Sequence, residues 1–203
     1  MPELRIAVEG RVQVRVMELR ELEITGPRDD FTPEVDRIVA GVRQGRHGDP
    51  GPARALYRSF GVDPTKTRPS SEALLRRVLR GDPLPRINSL VDVANVMSLA
   101  AQVPVGLYDL GRIEGPLTIR RGAQGESYEG IRKDRVSVAG RICVADARGP
   151  FGSPTADSAR TMITTDTEHA LWIWFLPVTE AVLDRACELV ARFGRGLPVV
   201  VPV

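Results

Sequence analysis

Lysine is nearly missing from this chain: of its 28 cationic side chains, all but Lys66 and Lys133 are arginine. Cysteine and histidine each occur twice, as Cys143, Cys187, His47 and His169. No second Cys or His stands near any of them at metal-ligand spacing, so a structural zinc site has no carrier and no metal is expected. Both cysteines lie in apolar runs and are expected to be small buried hydrophobes. No window reaches the length of a membrane span. There is no G-x-G-x-x-G after a strand, no P-loop, no H-E-x-x-H, no C-x-x-C and no G-x-S-x-G, which leaves dinucleotide binding, phosphate cradling, zinc proteolysis and elbow-type serine hydrolysis without their usual residues. His47 sits in a Gly-rich loop and reads as solvated. His169 precedes an apolar run, and as a base it would need a partner, for which Asp166 is nearest in sequence. No cofactor is expected. The opening MPELRIAVEG lacks a basic segment followed by a long apolar one, so no leader, no membrane association and a cytoplasmic location are expected.

What is present describes an ordinary folded chain. The 203 residues are 42% hydrophobic and 27% charged, with a net charge of +2. That is enough apolar material for one substantial core, and a single domain over 1–203 is expected. The charge is unevenly placed. Between Arg54 and Arg86 eight basic residues face three acidic ones. Such a stretch reads either as a solvated helix face or as a surface that steers a phosphate backbone.

Periodicity predicts strands at 4–8 and 11–16, where RVQVRV alternates around a turn at Gly10, and a β-rich stretch ending near Ile24. A helix is predicted from Thr32, with Thr as N-cap and Pro33 at the first helical position. Another fits Pro52 to Phe60, closed by Gly61. A third starts at Ser70 as cap, with Leu74, Leu75, Val78 and Leu79 inward and Gly81 as its stop. A fourth runs from Ser89 to about Ala101. Beyond Tyr108 the pattern turns to strands, LTIRR, RVSVA, RICVA and the strongly apolar ALWIWFL. Thr179 to Phe193 reads as an amphipathic helix stopped by Gly194, and LPVVVPV as an edge strand that tolerates proline. Strands, helices, strands, helix, strand is an α+β order, with helices packed on an antiparallel or mixed sheet.

The most informative stretch is Arg68 to Asp109. On its second helix Asn88, Asp92 and Asn95 are spaced i, i+4 and i, i+7 and fall on one side. Polar groups in so apolar a segment need partners. They read either as a satisfied network tying the helix to loop 62–70, with Asn88 as N-cap, or as the rim of a pocket for a small polar ligand, with Asp109 and Arg68 as further members. The loop VDPTKTRPS carries Lys66, Arg68 and Ser70 ahead of a helix N-terminus and reads either as a rigid turn or as an anion site. Arg76 and Arg77 extend the cationic face. Glu126 is a candidate carboxylate for the same pocket. Asp157, Ser158 and Arg160 lie in the long polar segment ADARGPFGSPTADSART, of a kind that commonly carries recognition. Trp172 and Trp174 share one strand face, as core, subunit interface or stacking platform.

The ordered motifs Ser70 with LLRRVLRG, Pro85-Arg86-Ile87-Asn88, Val91-Asp92-Val93-Ala94-Asn95 and VPVGLYDL, with looser matches in RICVADARGP and TADSARTMITTDTEHAL, resemble the B3/B4 domain of the phenylalanyl-tRNA synthetase beta subunit, especially its freestanding forms. The resemblance covers about 50 to 175. It implies an α+β fold and a module that binds tRNA or aminoacyl-tRNA, in the synthetase for hydrolytic removal of a wrongly attached amino acid. Carried onto this chain, it implies a pocket shaped by Asn88, Asp92 and Asn95, with Lys66 and Arg68 toward the RNA. Two positions depart from the pattern: Gly106 stands where the family usually has histidine, and Ala156 falls where it has a functional glutamate. These departures leave open a non-catalytic binder of a free amino acid or other small metabolite. The synthetase catalytic domain has no counterpart, so ligation of phenylalanine is not implied. A homodimer through the Trp172–Trp174 face is a further expectation.

Overall fold

The computed structural model describes residues 2–8, 12–131 and 133–202, without the side chains of Lys133 and Asp134. The predicted turn at Gly10 lies outside the described residues. Ten strands and five helices follow the order β1 (Leu4–Ile6), β2 (Arg15–Arg20), α1 (Thr32–Arg43), α2 (Gly51–Ser59), α3 (Ser70–Leu79), α4 (Ser89–Ala101), β3 (Val105–Asp109), β4 (Leu117–Arg121), β5 (Ser127–Gly130), β6 (Lys133–Ser137), β7 (Ile142–Asp146), β8 (Gly149–Gly152), β9 (Ala170–Trp174), α5 (Glu180–Leu189) and β10 (Leu197–Val201). The fold is α+β. An antiparallel sheet in the order β10-β2-β9-β3 forms the middle layer. One face of it carries α1, α3, α4 and α5, while α2 sends Leu56 into the core on the other face. A second sheet, β1-β4-β7-β8, mixed because β1 runs parallel to β4, covers the other.

Strand β9 shows why this layering holds. Its side chains alternate between two cores. Ala170, Trp172 and Trp174 pack with Leu90, Val93 and Phe193 on the helical side. Leu171 and Ile173, with the following Phe175, pack with Ile119, Val144 and Phe151 between the sheets. A strand covered on both faces has no need of polar residues, hence the unbroken ALWIWFL run. The two indoles stack with ring centroids 5.2 Å apart and are fully buried. This corrects the expectation of a dimer interface or base-stacking platform there: no partner can reach them.

Helix boundaries follow local signals, with informative exceptions. Asn88 is the N-cap of α4, its side-chain oxygen accepting from the Leu90 and Val91 amides at 3.2 and 2.8 Å. Thr32 is the first residue of α1 rather than its cap, because a 3-10 turn over Asp29–Phe31 enters the helix and Phe31 holds the cap position. Ser70 likewise opens α3 from within, after Pro69. Leu79, expected inward, is exposed at the end of α3. Strand β2 begins later than the RVQVRV alternation suggests, although Val12 and Val14 are buried. Helix α5 ends in a wider π-helical turn, Val190–Gly194, that keeps Val190 and Phe193 in the core. Strand β10 lies at the sheet edge as expected, with Pro198 inside it. Cys143 is buried and Cys187 half-buried, both as free thiols. No helix of the described residues is long and apolar enough to cross a membrane.

Candidate functional site

A cavity of about 850 Å³ opens between α3, the Pro85–Ile87 turn, α4, strand β3 and the segment 156–163. Helix α4 presents Val91, Ala94, Asn95 and Ser98 to it, a stripe at i, i+3, i+4 and i+7. Strand β3 presents Val105 and Leu107, two residues apart as one strand face requires. Leu74, Ala156, Ala159 and Ile163 complete an aliphatic wall. Three large apolar side chains at its edge are exposed: Ile87 at 39%, Ile131 at 39% and Met162 at 36%. Exposed apolar side chains gathered around a concave surface mark a binding site more than scattered ones do. Composition gave no sign of this rim. The usable signal was local: Ile131 and the Met162–Ile163 pair are apolar residues in polar, turn-rich segments.

The loop forming the far wall is held from three sides. Tyr128 donates to the Ala156 carbonyl and shares a hydrogen bond with Ser153. The Tyr57 hydroxyl meets Thr155 at 2.6 Å. The Ser70 amide donates to the Pro154 carbonyl at 2.9 Å, locking the start of α3 onto the loop. Neither tyrosine was singled out from sequence, since nothing local announces a long-range hydroxyl contact.

The structure separates the three polar residues of α4. Successive residues turn by about 100° around a helix, so Asp92 points roughly a quarter turn or more away from the Val91–Ala94–Ser98 stripe, while Asn95 stays at its edge. Asp92 is 2% exposed. It accepts from Arg86 Nε and from the Ile87 amide, both at 2.7 Å. The Arg86 guanidinium goes on to Thr32 Oγ1 at 3.1 Å and the Arg28 carbonyl at 2.7 Å. The network therefore ties α4 to its entry turn and to the start of α1, not to loop 62–70. Asn88 is occupied by its cap bonds and a long contact to the Ile163 carbonyl. Among the described residues Asn88 and Asp92 do not line the cavity, which corrects the expectation of one shared rim; Asn95 does.

The other candidates disperse similarly. The loop before α3 is closed by Asp63, which accepts from the Thr65 amide and hydroxyl, while its carbonyl accepts from the Lys66 and Thr67 amides. The Thr65, Lys66 and Thr67 amides are thus engaged within the turn rather than open to an anion. Arg68 contacts the Thr65 carbonyl and approaches Glu72, which Arg54 grips with two hydrogen bonds. Arg77 donates to the Pro83 carbonyl. Lys66 and Arg76 are exposed and make no ion pair at contact distance among the described residues. Asp109 accepts from the Gly111 amide, Arg112 and Thr167, away from the cavity. Glu126 is held by Arg120 at 2.6 and 2.8 Å, which lowers its carboxyl to about 2, and it too lies off the cavity. Arg160 pairs with the buried Asp146 and stacks over Phe151. His169 meets Glu18 at 2.8 Å rather than Asp166. Ser70 and Asp157 do line the cavity. Asp157 Oδ2 accepts from the Leu107 amide at 3.3 Å on the open edge of β3. Its Oδ1 is buried and makes no regular hydrogen bond, although the Tyr108 hydroxyl is close by. Burial pushes the Asp157 carboxyl up to about 7, opposed by the Leu107 amide and by Tyr108.

Gly106 has a steric explanation. Position 106 faces the core between the sheets, opposite to Leu107 and the cavity, and the fully buried Tyr108 ring fills the space beside it. A Cβ at Gly106 would overlap the Tyr108 hydroxyl, as would one at Gly152 on the neighbouring sheet. Gly106→Ala should therefore cost about 1–3 kcal/mol by overpacking, measured as a shift in the denaturant midpoint. Tyr108→Leu in the same chain should recover part of that loss, whereas strictly additive losses would show that the two positions do not share the space.

The B3/4 domain family model matches residues 53–187, a segment containing every cavity-lining residue. The phenylalanine–tRNA ligase beta subunit of Nitrobacter winogradskyi is 32% identical over 128 residues, covering 60% of this chain and 15% of that protein. The beta subunit of Streptomyces avermitilis is 32% identical over 148 residues, covering 68% and 17%. This chain thus spans less than a fifth of these relatives. An N-terminal fragment of the phenylalanyl-tRNA synthetase beta subunit from Pyrococcus horikoshii superimposes with a TM-score of 0.50 at 10% identity, covering 99% of this chain and 54% of that one, a likeness of fold alone.

Proposed function

The chain belongs to the B3/4 domain family, and from that membership we propose that it is a tRNA-associated module whose cavity receives the aminoacyl end of a charged tRNA, with hydrolysis of a misattached ester as the reaction. Residues 1–203 are taken as one functional unit. The observation that carries this reading is the cavity itself: apolar, rimmed by exposed Ile87, Ile131 and Met162, and lying wholly inside the family-matched segment. Asn95 is the member of the Asn88–Asp92–Asn95 set that meets the ligand. Asn88 and Asp92 stabilise the start of α4 without meeting the ligand. Lys66, Arg76 and Arg58, exposed and without an ion pair at contact distance among the described residues, are the proposed backbone contacts. Water would be held by the cavity wall near the ester rather than by a strong base.

A panel of mischarged tRNAs incubated with the purified protein tests this. One aminoacyl-tRNA should be deacylated, and Asn95→Ala should lower that rate about tenfold through one lost hydrogen bond. Asn88→Ala should instead cost about 1 kcal/mol of stability through the lost cap and leave turnover largely intact. Absence of both turnover and tRNA binding would overturn the proposal.

A second reading, a non-catalytic binder of a free amino acid or small metabolite, is favoured by the pairing of Arg54, Arg68, Arg80 and Arg86 with acidic partners, which occupies half of the eight cations in that stretch. Salt dependence separates the two. Binding that weakens steeply with salt points to RNA, and salt-insensitive binding of a metabolite points to the alternative.

A further inference from the structure

The chemistry of the cavity wall narrows what can occupy it. Its non-polar lining is aliphatic or thioether throughout: Leu74, Ile87, Val91, Leu107, Met162 and Ile163 supply the largest surfaces. Its polar members are mostly unable to serve a ligand. Ser98 donates to the Val103 carbonyl at 2.8 Å. Ser70 Oγ is buried beyond the reach of solvent. Asp157 is turned to the β3 edge through Oδ2, and its Oδ1 is equally dry. Ala156 adds only a methyl group. Asn95 differs. It is half-buried, lines the cavity, and its carboxamide makes no hydrogen bond among the described residues.

We propose that the cavity selects aminoacyl groups with large apolar side chains, and that the Asn95 carboxamide anchors the aminoacyl head while the aliphatic wall excludes hydroxylated and charged side chains. This inference rests on the aminoacyl reading above. A carboxamide offers one acceptor and two donors, which matches an α-ammonium donor and an ester carbonyl acceptor on the same ligand. The aliphatic side chains of the far wall offer no such complement, and Ser70 Oγ and Asp157 Oδ1, which lack partners, lie beneath the accessible surface. Burying a methylene against that wall favours binding, whereas burying a hydroxyl there without a partner opposes it. Apolar pockets reject a hydroxylated isostere by up to about 10²-fold, and discrimination of about 10- to 100-fold is expected here.

The test uses amino-acid methyl esters as probes, read by amide chemical shifts of Val105, Leu107 and Ala94 in the full chain. Leucine, methionine and phenylalanine esters should bind and move those signals. Tyrosine, threonine and lysine esters should bind at least about tenfold more weakly. Asn95→Ala should weaken leucine methyl ester about tenfold while preserving the order of side-chain preference. Tyrosine or threonine ester binding as tightly as its apolar counterpart would overturn the selectivity while leaving the aminoacyl reading intact. Undiminished leucine ester binding by folded Asn95→Ala would overturn the anchor. If no ester moved the cavity signals, this inference would fall, while the aminoacyl reading would stand or fall on the mischarged-tRNA panel.

Discussion

Replacing Asp92 with alanine should lower the free energy of unfolding by about 3 kcal/mol, at the lower end of the range for breaking a buried ion pair. The carboxylate side chain is almost fully enclosed, and the Arg86 side chain it holds is 27% exposed. Removing the carboxylate leaves a guanidinium with only the Thr32 hydroxyl and the Arg28 carbonyl as partners. It also strips the Ile87 amide of its acceptor at the entry to α4. Partial solvation of Arg86 keeps the loss from the upper end of the range. Urea unfolding at neutral pH measures it directly, and a loss below about 1 kcal/mol would show that the network carries little. Because Asp92 does not line the cavity, ligand binding by the folded variant below its melting temperature should match that of the parent. Binding lost at full stability would return Asp92 to the site.

Asp157→Asn is expected to act in the opposite direction, stabilising the protein by about 3 kcal/mol at pH 8. The folded-state carboxyl titrates at about 7, against an ordinary value of 3.8. Between those values the folded chain holds a proton that the unfolded chain has released. Stability tied to this group is therefore full below about pH 4 and is lost as pH rises through about 7. Asparagine cannot ionise and keeps a carbonyl for the Leu107 amide. The advantage of Asn over Asp should grow by about 2 kcal/mol between pH 5 and pH 8, after allowance for the partial exposure of the residue. Glu18, Glu34 and Glu126, held near 2 by arginine partners and, for Glu18, also by His169, are ionised in both states across that window. They and the two histidines cancel in the comparison. Equal pH profiles for the two proteins would place an unrecognised cation or water beside Oδ1.

Local signals of composition and spacing determined a good deal. Asn88 ahead of an apolar run specified the start of α4, because a side-chain acceptor at that position satisfies amides that no other group can reach. Period-two and period-3.6 patterns located the β4 strand and the buried face of the last helix, since burial of one face is a property of a segment and its periodicity. The unbroken apolar run at 170–176 announced a strongly buried or interface strand, and the grouping of strands and helices into separate runs announced an α+β fold. The ordered motifs from Ser70 to Asp109 carried the family resemblance. Tertiary structure decided the site. Asn88, Asp92 and Asn95 share a helix side by spacing, yet only packing determined that Arg86 and the start of α1 would claim Asp92 and leave Asn95 at an open wall. The cationic excess between Arg54 and Arg86 was plain in the sequence, but which of its arginines pair with Glu72, Asp82 and Asp92 required distances. Gly106 read as a missing functional group until Tyr108 was seen filling the space beside it. A partner many residues away leaves no trace in local spacing, and whether a polar side chain is satisfied or available depends on that partner.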